Sequence, residues 1–146
     1  MTRMVDVSGK SVQRRRAVAE GRLKLKAGTV SKIRIGDVKK GDVLTVSQIA
    51  GIQAAKATAD IIPLCHQIPL SSVDIQFKLG KDRVTARTTV ITSNVTGVEM
   101  EALVGTTVAL LNVWDMVKYL EKDEDGQYPV AAILDVKVLE KSKEDL

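Results

Sequence analysis

The chain has 146 residues and a net charge of +4, with 45% hydrophobic and only 3% aromatic residues. This composition predicts one folded domain over residues 1–146 with an aliphatic core, and it excludes a disordered chain. A single histidine and a single cysteine exclude an internal disulfide and a zinc site with four Cys or His ligands. Residues 1–26 hold eight basic and two acidic residues, so this arm suits an anionic partner: nucleic acid, a phosphorylated metabolite or an acidic subunit.

The N-terminal part of the chain predicts an irregular arm, a strand and a short helix. Residues 1–13 show no regular pattern, whereas apolar and polar residues approach alternation over 17–26, which is typical of a half-buried strand. Residues 27–36 predict a short helix, although Ile33 and Ile35 also allow a strand there.

A longer helix and a hairpin are predicted next. Asp42 is a favourable N-cap for the apolar-periodic segment 43–57, and Pro63 is expected to end this helix. Apolar residues then alternate with polar ones over 73–79 and again over 84–90, with a short glycine-containing turn between them. This pattern predicts two strands joined as a β-hairpin.

The C-terminal part predicts a long helix over 97–122, a turn over 124–127 and a last strand over 133–139. The order of strand, helices, hairpin, helix and strand is the β-α-β-β-α-β pattern. We therefore expect an α+β protein of ferredoxin-like architecture with an extra short helix, whose helices pack on one face of an antiparallel sheet. The other face is more polar, as at Arg87, and we expect other subunits to bury part of it.

Three side chains before the hairpin could take part in chemistry. Histidine is the residue type whose unperturbed pKa lies near neutral pH, so His66 is either a ligand-binding or acid–base group in a cleft, or a hydrogen-bonded loop histidine. Cys65 has no local base other than His66, which disfavours a nucleophilic role. Lys40 precedes a helix N-terminus, where an anion is favoured, but it could equally be a surface lysine beside Lys39.

The long helix carries acidic residues within its apolar band. Asp115 and Lys118 are three residues apart and can form an ion pair on the helix surface. Glu101 and Asp115 face similar directions, but they lie about 21 Å apart along the helix axis. They cannot act on one small molecule from a single copy of the helix. If both carboxylates belong to one site, that site is assembled from two chains.

Six segments along the chain carry a family resemblance: Met4–Ser8, Lys40–Val43, Ile49–Lys56, Ile62–His66, Thr96–Leu103 and Asp115–Lys118. Together they resemble the cyclic pyranopterin monophosphate synthase family, also called MoaC, of molybdenum cofactor biosynthesis, and the resemblance runs from about residue 4 to residue 141. The chain departs from the family at Gln67, usually proline, at Trp114, usually tyrosine, and at its C-terminus, which lacks a Gly-Gly-Lys-Ser-Gly tail.

This resemblance implies a lyase that converts (8S)-3′,8-cyclo-7,8-dihydroguanosine 5′-triphosphate to cyclic pyranopterin monophosphate and releases diphosphate. The substrate, derived from GTP, would come from a radical S-adenosylmethionine enzyme. The subunits would form a homohexamer built as a trimer of dimers in the cytoplasm. The resemblance implies no resident cofactor and no metal site, and it leaves open whether Mg²⁺ accompanies the triphosphate. Neither a nucleic acid nor a membrane is expected as a partner.

The resemblance also assigns residues. Asp115 is implied as the active-site acid, with Lys118 and Lys40 as the catalytic lysines. The substrate-binding residues implied in the same way are Leu64, Cys65, His66, Met100, Glu101, Lys10 and Arg15. Lys10 and Arg15 would lie near the phosphates of the substrate. Lys141 is a further source of positive charge. As a hypothesis, Lys118 and Lys40 move protons, Asp115 orients them, and His66 with Glu101 holds the pterin.

Two other functions remain open at this point. A ferredoxin-like module that binds nucleic acid would fit the basic arm, but such sheets stack bases on aromatic side chains, and this chain has one Phe, one Trp and two Tyr. The second alternative is a regulatory domain that binds a small ligand at a subunit interface without catalysis.

Overall fold

The structure, a computed structural model, describes residues 1–146 as four strands and four helices. In chain order these are β1 (Gln13–Lys24), α1 (Ala27–Ile35), α2 (Val43–Lys56), α3 (Thr58–Ile61), β2 (Ser72–Leu79), β3 (Arg83–Asn94), α4 (Glu99–Glu121) and β4 (Ala132–Glu144). The strands form one antiparallel sheet in the order β2-β3-β1-β4. The order is that of a ferredoxin-like fold, so the predicted α+β architecture is confirmed.

Helix α1 settles the choice between helix and strand for residues 27–36 in favour of the helix. Ile33 is buried while Ile35 is 74% exposed, so the two isoleucines that suggested a strand do not share a buried face. Gly36 ends the helix in the left-handed conformation, with φ at +75°.

Helix α2 ends at Lys56, well before Pro63, and the expectation of one helix running to the proline is wrong. The Thr58 hydroxyl donates to the carbonyl oxygens of Ala54 and Ala55 at 3.3 and 2.8 Å. These bonds satisfy carbonyl groups at the helix end. The four-residue helix α3 then begins at Thr58 as a separate turn.

The outer strand β4 is longer than its alternation predicts and extends to Glu144 along β1. Arg14 pairs with Glu144, and Arg16 pairs with Glu140, across these two strands. Strand β1 correspondingly begins at Gln13, earlier than the predicted start at Ala17. Arg14 lies directly opposite Glu144 and Arg16 lies diagonal to Glu140, and opposite charges at such cross-strand positions favour this pairing.

The core lies between the sheet and the pair of helices α2 and α4. The helices pack closely because glycines face each other: a Cβ atom on Gly51 would lie 2.8 Å from the Gly105 carbonyl oxygen. By length and composition alone α4 could cross a membrane, but half of that stretch is buried inside the protein. This burial is typical of a helix in a protein core.

Glu121, at the last turn of α4, holds the beginning of α1. Its carboxylate is fully buried and accepts hydrogen bonds from the backbone N–H of Lys26, at 3.1 Å, and from the Thr29 hydroxyl. Lys26, the N-cap of α1, makes no capping bond with its own side chain. Glu121 therefore caps α1 from another element of the fold.

We expect the substitution Glu121→Ala to lower the free energy of unfolding by about 3 kcal/mol, because the buried Thr29 hydroxyl and the partly buried Lys26 N–H lose a charged acceptor. Urea unfolding followed by circular dichroism measures this change. Glu124→Ala, in the exposed turn after α4, is the matched control and should change stability by less than about 0.5 kcal/mol. Equal effects at the two positions would contradict the capping role.

The sheet face opposite the helices is polar. Glu20 bonds to Arg22 at 3.0 Å and to Arg87 at 2.8 Å on this face. Phe77, the only aromatic residue in the four strands, packs against the core instead. The open face therefore has no aromatic side chain on which a nucleic-acid base could stack.

Candidate active site

Two lysines meet one carboxylate on the surface near the C-terminal half of α4. Lys40 Nζ lies 2.8 Å from Asp115 Oδ2, and Lys118 Nζ lies 3.2 Å from Asp115 Oδ1. The ion pair predicted from the spacing of Asp115 and Lys118 is thus present. Lys40 comes from the loop before α2, where Asp42 caps the helix by accepting the Thr45 N–H at 3.2 Å. The fold brings together the three residues that the family resemblance assigns to catalysis.

The electrostatics of this cluster keep Asp115 ionised. Hydrogen bonds from Lys40 and then from Lys118 hold the pKa of Asp115 below its ordinary value of 3.8. All three side chains are about half exposed, and exposed ion pairs of this kind contribute little to stability. The cluster is therefore a carboxylate with an ammonium group on each oxygen, open to a ligand from solvent.

A second cluster lies at the N-terminal end of α4. Glu101 is buried, and its Oε2 lies 3.9 Å from Cys65 Sγ. No hydrogen bond reaches the other carboxylate oxygen, Oε1. Glu101 and His66 line a cavity of about 390 Å³ that extends to the end of α2 and to α3. The sequence left two interpretations of His66, a loop hydrogen bond or a place in a cleft, and the structure contains both features. Nε2 lies 2.6 Å from the Val5 carbonyl oxygen, and His66 is among the residues that line the cavity.

Burial governs the ionisation of this second cluster. It raises the pKa of Glu101 above its ordinary value of 4.5, and neighbouring Glu99 adds to the effect. Burial also raises the pKa of the Cys65 thiol, and the negative charge of Glu101 acts in the same direction. A thiolate is disfavoured at Cys65, which agrees with the low expectation of a nucleophile there.

Glu101 should make the protein less stable as the pH rises. Because the folded state raises its pKa, the favourable contribution present below pH 4.5 is lost as the pH passes through the higher folded value. Glutamine is neutral throughout, so we expect Glu101→Gln to stabilise the fold at neutral pH by about 1 kcal/mol, because a buried group without a partner costs more when it is charged than when it is neutral. The difference should vanish in acid. Urea unfolding at several pH values measures it, and a pH-independent difference would contradict the assignment.

Arg15 and Lys141 lie at a separate recess of about 230 Å³ between β1, β4 and the start of α4. Lys141 Nζ lies 2.7 Å from Glu99 Oε1. Burial would raise the pKa of Glu99, but the hydrogen bond from Lys141 is among the effects that bring it below its ordinary value. Arg15 donates to the carbonyl oxygens of Asn94 and Val95 at 3.1 and 3.2 Å. The sequence marks Glu99 as an acidic residue within the apolar band of the long helix, but nothing in the sequence assigned it a role or predicted its contact with Lys141.

The remaining predicted substrate-binding residues have few contacts within the chain. Leu64 is 46% and Met100 42% exposed, near the second cluster in sequence. Lys10 is exposed in the N-terminal arm, and its side chain has no hydrogen bond or ion pair with the rest of the chain. Nowhere do three or more His, Cys, Asp or Glu side chains come together to hold a metal ion.

The sheet and these clusters define a ferredoxin-like α+β protein with one carboxylate between two lysines near one end of a central helix and a buried carboxylate in a cavity near the other. The chain belongs to the MoaC family, which it matches over residues 4–144, so the resemblance drawn from the sequence is confirmed.

Relatives in this family cover nearly the whole chain. The chain is 54% identical to the probable cyclic pyranopterin monophosphate synthase accessory protein of Methanothermobacter thermautotrophicus, over 99% of this chain and 91% of that protein. It is also 54% identical to the probable cyclic pyranopterin monophosphate synthase of Pyrococcus furiosus, over 98% of this chain and 92% of the relative. The protein with the same name from Pyrococcus abyssi is 54% identical over 97% of this chain and 89% of its own length.

Proposed function

We propose that this protein is a cyclic pyranopterin monophosphate synthase, a phosphorus–oxygen lyase of molybdenum cofactor biosynthesis. It would convert (8S)-3′,8-cyclo-7,8-dihydroguanosine 5′-triphosphate to the cyclic monophosphate with release of diphosphate. Membership of the MoaC family and the names of relatives at 54% identity support this activity. The observation that carries the proposal is the convergence of Lys40 and Lys118 on Asp115.

The chemistry of the reaction fits this cluster. Opening the purine-derived ring, building a pterin and closing a cyclic phosphate each require proton transfers. Asp115, with its lowered pKa, is a carboxylate at neutral pH and orients the two ammonium groups. Lys118 and Lys40 act as the proton-transfer groups, because a positioned side chain within hydrogen-bond reach of the reacting atoms is what such catalysis needs.

The second cluster would hold the pterin. Glu101 has an unpartnered oxygen and a raised pKa in a cavity that His66 also lines. A buried carboxyl group of this kind can exchange hydrogen bonds with the amide-like edge of a pterin ring. Leu64, Cys65 and Met100 would complete the substrate contacts near this cavity.

Basic side chains would compensate the negative charge of the triphosphate. Arg15 and Lys141 border the recess beside α4, and Lys10 has a free ammonium group in the arm. Arginine forms bidentate contacts with phosphate, and lysine supplies a mobile point charge. A magnesium ion that accompanied the substrate would be bound through these phosphates rather than by a carboxylate cage of the chain.

The two clusters would form one site only between copies of the chain. Asp115 and Glu101 are separated by about 21 Å along α4. In a single site, the Asp115 of one subunit would therefore lie near the Glu101 of another. Exposed aliphatic side chains on the packed helices, Val46, Ile49 and Leu111, support burial by a further copy. We propose a homohexamer of three dimers in the cytoplasm, supplied with substrate by a radical S-adenosylmethionine enzyme.

An assay on the purified protein tests this function. The enzyme should convert the 3′,8-cyclo-dihydroguanosine triphosphate and release one diphosphate for each cyclic pyranopterin monophosphate formed. Binding of the triphosphate without release of diphosphate would favour a regulatory domain instead. Salt-sensitive binding of single-stranded RNA without triphosphate binding would favour the nucleic-acid module, although the open sheet face lacks aromatic side chains.

A further inference from the structure

Lys40 is held in place although its side chain is about half exposed. Its ammonium group contacts both the carboxylate and the backbone carbonyl oxygen of Asp115, at 2.8 and 3.3 Å. An exposed lysine gives up considerable rotamer freedom in making such contacts. The backbone from which Lys40 extends must therefore be fixed by other interactions. That backbone belongs to the loop between α1 and α2.

Tyr119 fixes this loop from α4. Its hydroxyl accepts a hydrogen bond from the backbone N–H of Lys39 at 2.9 Å. Tyr119 also lies one helical turn after Asp115 and next to Lys118, so the same part of α4 carries the carboxylate and the loop contact. On the other side of Lys40, Gly41 forms a turn with φ at +113° and donates its N–H to the Val38 carbonyl oxygen at 3.1 Å.

The ring of Tyr119 has a second partner in the same loop. The ammonium group of Lys39 lies over the ring, 4.9 Å from its centroid, within the range of a cation–π interaction. Lys39 and Lys40 are adjacent in sequence and both extend to α4, where Lys39 meets the Tyr119 ring and Lys40 meets the carboxylate of Asp115. The ring engages the first lysine, and the hydroxyl sets the backbone that directs the second toward Asp115.

We propose that Tyr119 is a positioning residue that selects Lys40, rather than Lys39, as the partner of Asp115. Tyr119 acts through the loop and makes no contact with the carboxylate itself. The proposal rests on the proposed function only for its effect on turnover, because the selection between the two lysines is a property of the free protein.

Tyr119→Phe is the decisive variant, since it removes the hydroxyl and keeps the ring in the core packing. Tyr128→Phe is the matched control: Tyr128 packs edge-on against Trp114, and its hydroxyl makes no hydrogen bond within the chain. The probe is acetylation of the whole folded protein by a small amine-reactive ester at neutral pH, with the modified lysines quantified by mass spectrometry. The ammonium group of Lys40 is expected to react slowly, because its contacts with the carboxylate and the carbonyl oxygen of Asp115 must break before its nitrogen can attack the ester.

We expect Tyr119→Phe to raise the acetylation rate of Lys40 about threefold, the factor that an exposed ion pair can supply. Tyr128→Phe should leave the rate unchanged. Lys78 on β2 and Lys122 after α4 are internal references for the fold. An unchanged rate at Lys40, or an equal increase at Lys40, Lys78 and Lys122, would overturn the proposal.

Turnover provides the second readout. If the wild-type protein is a synthase, Tyr119→Phe should lower kcat about tenfold and leave KM within about twofold. The reason is that misplacing a catalytic group slows the chemical step more than it weakens substrate binding. An unchanged kcat in an active enzyme would overturn the positioning role. Absence of turnover in the wild type would instead reject the proposed function, and the acetylation rates would still decide the role of Tyr119.

Discussion

Replacing Lys118 by alanine is expected to remove nearly all product formation, with kcat/KM lowered by about 10² to 10⁴, the range contributed by a positioned proton-transfer group. Because its pKa is lowered, Asp115 has no proton to donate at neutral pH. The proton donors must therefore be the ammonium groups of Lys40 and Lys118. Lys40 cannot substitute for Lys118, because the two lysines bind different oxygens of the carboxylate. Release of diphosphate and chromatography of the oxidised pterin measure the loss.

The fold and the proposed hexamer should survive this substitution. The Asp115–Lys118 pair is about half exposed, and such pairs contribute at most about 1 kcal/mol. Lys122→Ala is the matched control, since Lys122 lies just after the end of α4 and forms no ion pair. Full turnover in Lys118→Ala would reject its catalytic assignment, and loss of the oligomer in analytical ultracentrifugation would assign it a structural role.

Local signals in the sequence predicted most elements of the fold. The N-cap at Asp42 and the alternation in the hairpin depend on residues close together in the chain, and both are present in the structure. The end of α2 was missed because the Thr58 hydroxyl competes for carbonyl groups one turn back, an effect that hydrophobic periodicity does not register. The length of β4 was missed because charges on β1 across the sheet extend it.

The contacts of the site residues were less accessible from sequence than their identities. The resemblance identified Arg15, but its bonds to the backbone of Asn94 and Val95 depend on the register between β1 and β3. The spacing of Glu101 and Asp115 gave their separation. It could not show that one carboxylate is buried with a raised pKa while the other is exposed with a lowered one. That difference follows from which neighbours the rest of the fold brings to each end of α4.

Mixing two inactive variants should restore activity if the site is shared between subunits. Glu101→Gln and Asp115→Asn are each expected to be inactive, and both preserve side-chain shape and hence assembly. In a dimer that contains one copy of each, one site receives both mutations and the other receives none. Random exchange should therefore restore about a quarter of the wild-type sites, since half of the dimers are mixed and each holds one intact site of two.

A second mixture separates a shared site from nonspecific rescue. Asp115 and Lys118 lie 3.2 Å apart on the same copy of α4, so they enter any shared site from the same subunit. Mixing Asp115→Asn with Lys118→Ala leaves every site without one of the two groups, and no activity should return. Recovery in the first mixture alone identifies Glu101 and Asp115 as contributions from different chains. Equal recovery in both, or none in the first after mass spectrometry has verified subunit exchange, would mean that the two ends of α4 do not serve one reaction.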